Sequence, residues 1–131
     1  MVDTKQMVCI SRAAGAKFED IGRRLQLEYR DLGVRQATGG RFNAHILRTG
    51  KGTGERKVPR HVHKLDFQMI YVLKGWVRMW FEDRGEVTLK KGDSYVVPGD
   101  VLHEVHDWSY DHEVLEITSP ADFETIESSA E

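Results

Sequence analysis

His61-Val62-His63-Lys64-Leu65-Asp66-Phe67-Gln68-Met69-Ile70-Tyr71-Val72-Leu73-Lys74-Gly75 holds two patterns in one stretch. The first is His-x-His. In a β-strand, residues i and i+2 project from the same face, so His61 and His63 can grip one metal ion from adjacent corners. The second is the run from Gln68 to Leu73, whose alternation puts Gln68, Ile70 and Val72 on one face. If the two aliphatics face a core, so does the amide. A buried amide is costly unless it is bonded or ligating.

Working outward, short β-like runs are broken by Gly, Asp and Pro. Strands are expected near Leu27–Tyr29, Arg41–Arg48, Phe67–Leu73, Trp76–Phe81, Glu86–Leu89, Ser94–Val97, Val101–Trp108 and Glu113–Ile117. Such spacing indicates an all-β sandwich or barrel. His103 shares parity with Val101 and Val105 and is expected to point inward. Before the strands, Phe18, Ile21 and Leu25 have helical spacing, which suits one short helix, although Gly15 and Gly22 oppose it. The organisation expected is an N-terminal arm over 1–24, a β-barrel over 25–118 and an acidic tail over 119–131 that lies as a surface strap.

These residues resemble the cupins, a superfamily with the motifs G-x5-H-x-H-x(3,4)-E-x6-G and G-x5-P-x-G-x2-H-x3-N. His61, His63, Gln68 and Gly75 match the first at its spacing, with Gly54 one residue early. Gly92, Pro98 and His103 match the second. The departures are Gln68 for the acidic residue, Asp100 for the glycine and Asp107 for the asparagine. The resemblance implies an RmlC-like, small antiparallel jelly roll holding one divalent metal, with His61, His63, Gln68 and His103 as ligands. A neutral ligand set leaves the ion its full charge and makes it a stronger Lewis acid. It suits Fe, Mn, Ni, Co, Cu or Zn. Some cupins with three His and a Gln are enzymes that process unsaturated sugar acids.

Other signals are weaker. His106 and His112 are expected on the surface. Asp107 shares parity with His103 and could orient a ligand. Phe42, Ala44 and Ile46 look like a core face, which puts His45 on the other. Arg41, Arg48, Arg56, Lys57 and Arg60 read as a solvated basic stretch rather than an anion trap. The glycines of 50–54 lack the Walker spacing and lead into a strand, so a phosphate loop is rejected. No nucleophile elbow is present.

Composition limits the remaining choices. The 131 residues carry 19 basic and 21 acidic side chains, net −2, which gives no cationic field for nucleic acid. No apolar run is long enough to span a membrane, and no secretory signal is seen. Cys9, the one cysteine, excludes an internal disulfide, and a cytoplasmic setting is expected. Met69, Tyr71, Leu73, Trp76 and Trp80 alternate against the inward sets, so something must cover them. The arm or a second subunit would serve, and a homodimer is expected. Two functions fit the same residues: a metal-dependent enzyme (isomerase, lyase or dioxygenase type) acting on a small oxygenated molecule, or a non-catalytic module that senses a small molecule or metal.

Overall fold

Alternating apolar residues and tight turns build eleven strands and one helical turn in the computed structural model, which describes residues 6–22 and 24–128. The strands are β1 (Glu19–Asp20), β2 (Leu27–Asp31), β3 (Asn43–Thr49), β4 (Val58–Lys64), β5 (Phe67–Lys74), β6 (Trp76–Phe81), β7 (Gly85–Lys90), β8 (Ser94–Val96), β9 (His103–Trp108), β10 (Glu113–Ser119) and β11 (Glu124–Glu127). The helical turn, α1, covers Val34–Ala37. One sheet runs β1-β2-β3-β10-β5-β8 and the other β11-β4-β9-β6-β7, with antiparallel pairing throughout. This is an antiparallel jelly roll.

Between the sheets lie Leu27, Ile70, Val72, Val77, Met79, Phe81, Val97, Trp108 and Val114. Burial in β5 and β6 alternates with period two, as the sequence predicts. The β5–β6 turn needs a glycine at 75 for two reasons. Its φ is 70°, and a Cβ there would run into Ser109 Oγ and Asp111 Oδ1. The turn is thereby clamped onto the segment after β9, where Trp76 N–H donates to Ser109 Oγ at 2.9 Å. Asp100 also takes a positive φ, 68°, where the motif has glycine. Aspartate is among the residues that tolerate this region. Its carboxylate meets Lys64 Nζ at 2.5 Å.

Three expectations differ from what is observed. The helix expected between residues 11 and 25 does not form among the described residues. Gly15 and Gly22 have φ of 74° and 84°, and the segment instead contributes β1, paired with β2. In β3 the inward parity is odd, because Leu47 packs on the core while Phe42 is exposed. Ala44 and Ile46 lie opposite Ile117 and Leu115 on the outer face. Apolar residues occupy both faces of β3, so alternation alone misassigns it. Finally, the apolar strip is divided. Tyr71 and its neighbours lie outside one sheet, while Trp76 and Trp80 lie outside the other, beneath the guanidinium groups of Arg78 and Arg60.

Candidate metal centre

β4 and β9 are adjacent and antiparallel, with His61 directly opposite His103. His63, two residues along β4, points the same way. The imidazole centroids are 4.3 Å apart for His61–His103, 4.7 Å for His61–His63 and 5.0 Å for His63–His103. One nitrogen from each ring lies within 4.8 Å of the others, a grouping that can hold a metal ion.

The other ring nitrogens are tied down. His61 Nδ1 is 2.6 Å from the Pro59 carbonyl and His103 Nδ1 is 2.9 Å from the Val101 carbonyl. A carbonyl only accepts, so each Nδ1 carries a proton, which in the neutral ring leaves the lone pair on Nε2. His63 Nδ1 bonds Thr125 Oγ1 at 2.8 Å. Burial first, then the neighbouring imidazoles His61 and His103, lowers the His63 pKa to about 4. Burial also lowers that of His103. These two rings are therefore neutral at pH 7, the state a metal requires.

Gln68 enters the same cavity from β5. Its Nε2 donates to Glu116 Oε2 at 2.8 Å, while its Oε1 is buried with no partner. An orphaned buried acceptor calls for a positive partner, and a metal ion held beside three imidazoles fits that need. Glu116 comes from β10 and also accepts from His45 Nε2 at 2.6 Å. Both of its oxygens are thus engaged. Burial pushes the Glu116 carboxyl up, but the hydrogen bond and charge of His45, with the Gln68 amide and the charge of His63, outweigh it. Its pKa ends below the ordinary value. The inner polar set is therefore not free of negative charge, because a carboxylate stands directly behind Gln68.

Glu116 was not among the sequence candidates. Its parity with the core residue Val114 was the available signal, since a charge on the inward side of a strand is unusual. His45 belongs to the site through Glu116. Thr125 comes from β11, inside the segment read as a strap, which pairs with β4 opposite His63. Tyr95 also lines the cavity, and burial raises its pKa, so its hydroxyl stays protonated.

His112, expected on the surface, is instead buried, 6% exposed, and stacks on Trp108 with centroids 5.8 Å apart. The turn after β9 folds inward under Gly75 rather than outward. His106 is half-buried on the outer face and bonds Glu86 at 2.6 Å. Asp107 bonds its neighbour's backbone, Trp108 N–H, at 2.8 Å.

The cavity that the triad shares with Gln68, Glu116 and Tyr95 has a volume of about 210 Å³. Apart from Glu127, its other walls are mostly apolar, from Leu25 and Leu27 through Ile70 and Val77 to Val105 and Val114.

The cupin domain model matches residues 52–115, the segment that carries both histidine motifs. Solved structures share the fold. An RmlC-like cupin from Shewanella frigidimarina is 24% identical over 89% of this chain and 95% of its own, with a TM-score of 0.67. The polyketide cyclase RemF from Streptomyces resistomycificus is 19% identical over 95% and 88%, with a TM-score of 0.72. KdgF from a Halomonas species is 19% identical over 83% and 92%, with a TM-score of 0.66. No curated protein matches the sequence. Residues 52–115 carry a cupin domain, and the chain has the fold of the RmlC-like cupins. Among the described residues no helix is long and apolar enough to cross a membrane.

Proposed function

We propose that this cupin is a metal-dependent enzyme acting on a small oxygenated organic molecule. The observation that carries the reading is the donor set: three imidazoles with fixed tautomers or hydroxyl partners, and an orphaned Gln68 oxygen, opening on one apolar cavity. His61, His63, Gln68 and His103 would hold the ion. When bound, a divalent ion there supplies Lewis acidity toward a substrate oxygen.

The chain's own residues do the rest. Carbonyl and hydroxyl bonds at each Nδ1 hold the rings in place. Glu116 accepts from the Gln68 amide nitrogen and so leaves the amide oxygen without a protein partner. The apolar walls exclude water, which strengthens each electrostatic contact inside. The Tyr95 hydroxyl stays protonated and donates to Met79 Sδ at 3.8 Å, and Glu116 is an ionised carboxylate within the cavity. Isomerase, lyase and dioxygenase chemistry all use such a site. Turnover assays on metal-loaded protein, with oxygen present and absent, separate them. A protein that binds its ligand but converts none under either condition would be a binding module instead.

The same reading includes a homodimer. Phe67, Tyr71 and Val96 are 39%, 41% and 54% exposed. Val96 and Ile117 flank Met69, and Leu115 faces Tyr71, so the apolar face is continuous across three strands. The helical turn α1 is too short to cover it. A second copy, sheet to sheet, would bury a few hundred Å² per chain at roughly 25 cal/mol per Å². Light scattering tests this: a mass near 15 kDa, that of one chain, would exclude the dimer.

A further inference from the structure

The cavity contains polar atoms that the metal reading does not use. Trp108 and His112 line it together with the triad, yet Trp108 Nε1 and His112 Nδ1 are buried without a hydrogen-bond partner. Both side chains are more than nine-tenths buried, at 2% and 6% exposed. Their rings stack with an interplanar angle of 30°. Buried polar groups without partners are rare in folded proteins, and two on adjacent stacked rings need an explanation. Indole N–H only donates, and a neutral imidazole nitrogen either donates or accepts. The group that satisfies both is an oxygen: a hydroxyl, which can accept from Trp108 and donate to His112, or a carbonyl. Trp108 ends β9 and His103 begins it, so the pair lies at the opposite end of the strand from the triad.

Charge narrows the ligand further. Among the described residues no lysine or arginine lines this cavity, while Glu116 and Glu127 do. The basic residues near the motif are engaged elsewhere. Arg48 pairs with Glu28 and lies over Phe18, and Arg60 pairs with Glu104 and lies over Trp80. Arg56 donates to the Trp108 carbonyl, and Lys57 is 3.6 Å from Glu55. A carboxylate or phosphate on the ligand away from the metal would be buried unpaired. The volume of about 210 Å³ lies below the roughly 300–1,000 Å³ of drug-sized sites, so the ligand is small.

We infer that the cavity takes a small, uncharged, largely apolar molecule that offers one oxygen group to the metal end and a hydroxyl or carbonyl oxygen to Trp108 and His112. Only the first contact rests on the metal reading above. The site selects against anionic sugar acids and other small acids whose charge would fall at the Trp108 end.

Three catechols of nearly equal size test this by calorimetry on zinc-loaded protein. 4-(Hydroxymethyl)catechol carries a far-end hydroxyl, 4-ethylcatechol an apolar group and 3,4-dihydroxybenzoate a carboxylate. The hydroxymethyl compound should bind about tenfold tighter than the ethyl compound, the worth of about one buried hydrogen bond. The carboxylate should bind at least about 100-fold more weakly than the hydroxymethyl compound. Trp108→Phe, which keeps a ring but removes the donor, should erase the first margin. Equal binding of hydroxymethyl and ethyl compounds would mean that a water or nothing satisfies the pair, and would overturn its role. A carboxylate that binds as tightly as the hydroxymethyl compound, or no binding by any of the three, would overturn the ligand class. The ranking in the unmodified protein decides these points even if the variant does not fold. Repeating the titrations on metal-free protein isolates the metal reading: affinities unchanged by zinc would refute that reading alone.

Discussion

Gln68→Glu restores the acidic residue of the cupin motif, and here it should destabilise the metal-free protein. In the native chain the Gln68 amide donates to Glu116 Oε2 at 2.8 Å. The substitution replaces that donor with a second carboxylate. Two full charges at this distance repel by roughly 4–6 kcal/mol at an effective dielectric of about 20, so one of them takes a proton. Holding a glutamate of ordinary pKa ~4.3 protonated at pH 7 costs about 4 kcal/mol, and the hydrogen bond regained between the two returns about 1–2. The net loss at pH 7 is therefore roughly 2–3 kcal/mol. The sign with pH follows. The shared proton is held with a raised folded pKa, so its contribution is present below the unfolded value and lost as pH rises. The deficit against the parent should shrink as pH falls toward about 4. The exchange variant Gln68→Glu/Glu116→Gln restores one donor and one acceptor, and should recover to within about 1 kcal/mol. Urea unfolding of chelator-treated protein at several pH values reads all of this. A single variant as stable as the parent at pH 7, or an exchange no better than the single change, would refute the placement of Glu116 behind Gln68.

Other outcomes follow from the same geometry. Burial holds His112 neutral with a pKa near 4 against 6.5 for the free side chain, so folding excludes a proton that the unfolded chain binds. Stability of the metal-free protein should be full above pH 6.5 and fall toward pH 4, by roughly 3 kcal/mol from this residue, as thermal melts across that range would show. Gly75→Ala meets both a positive φ and Ser109 Oγ, and should cost at least ~2 kcal/mol in urea unfolding. If the outer face of β5 joins two copies, Tyr71→Asp should halve the mass seen in light scattering. Trp80→Asp should not, because Trp80 lies beneath Arg60 on the other sheet.

The parts of the site that were legible in the sequence are those fixed by local geometry. His-x-His in a strand places two rings on one face, and the parity of Gln68 with Ile70 and of His103 with Val105 places the others inward. Glu116 escaped for a different reason. Its inward parity with Val114 is local, but its partners depend on β10 lying between β3 and β5, a long-range register. Thr125 was missed because Glu124–Glu127 has no alternating apolar face, and it becomes a strand only by pairing with β4. His112 follows a turn whose inward fold is set by the clamp between Gly75 and Ser109, 34 residues apart in sequence. The arm escaped because the spacing of Phe18, Ile21 and Leu25 outweighed, on paper, two glycines that adopt positive φ.

Metal content tests the central claim most directly. Protein purified without chelators and analysed by elemental mass spectrometry should carry about one divalent transition ion per chain, drawn from Fe, Mn, Ni, Co, Cu or Zn. His61→Ala and His103→Ala should each lose that ion while their circular dichroism still reports β-sheet. No metal in the unmodified protein after equilibration with each of these ions, or the same stoichiometry in both variants, would contradict the account.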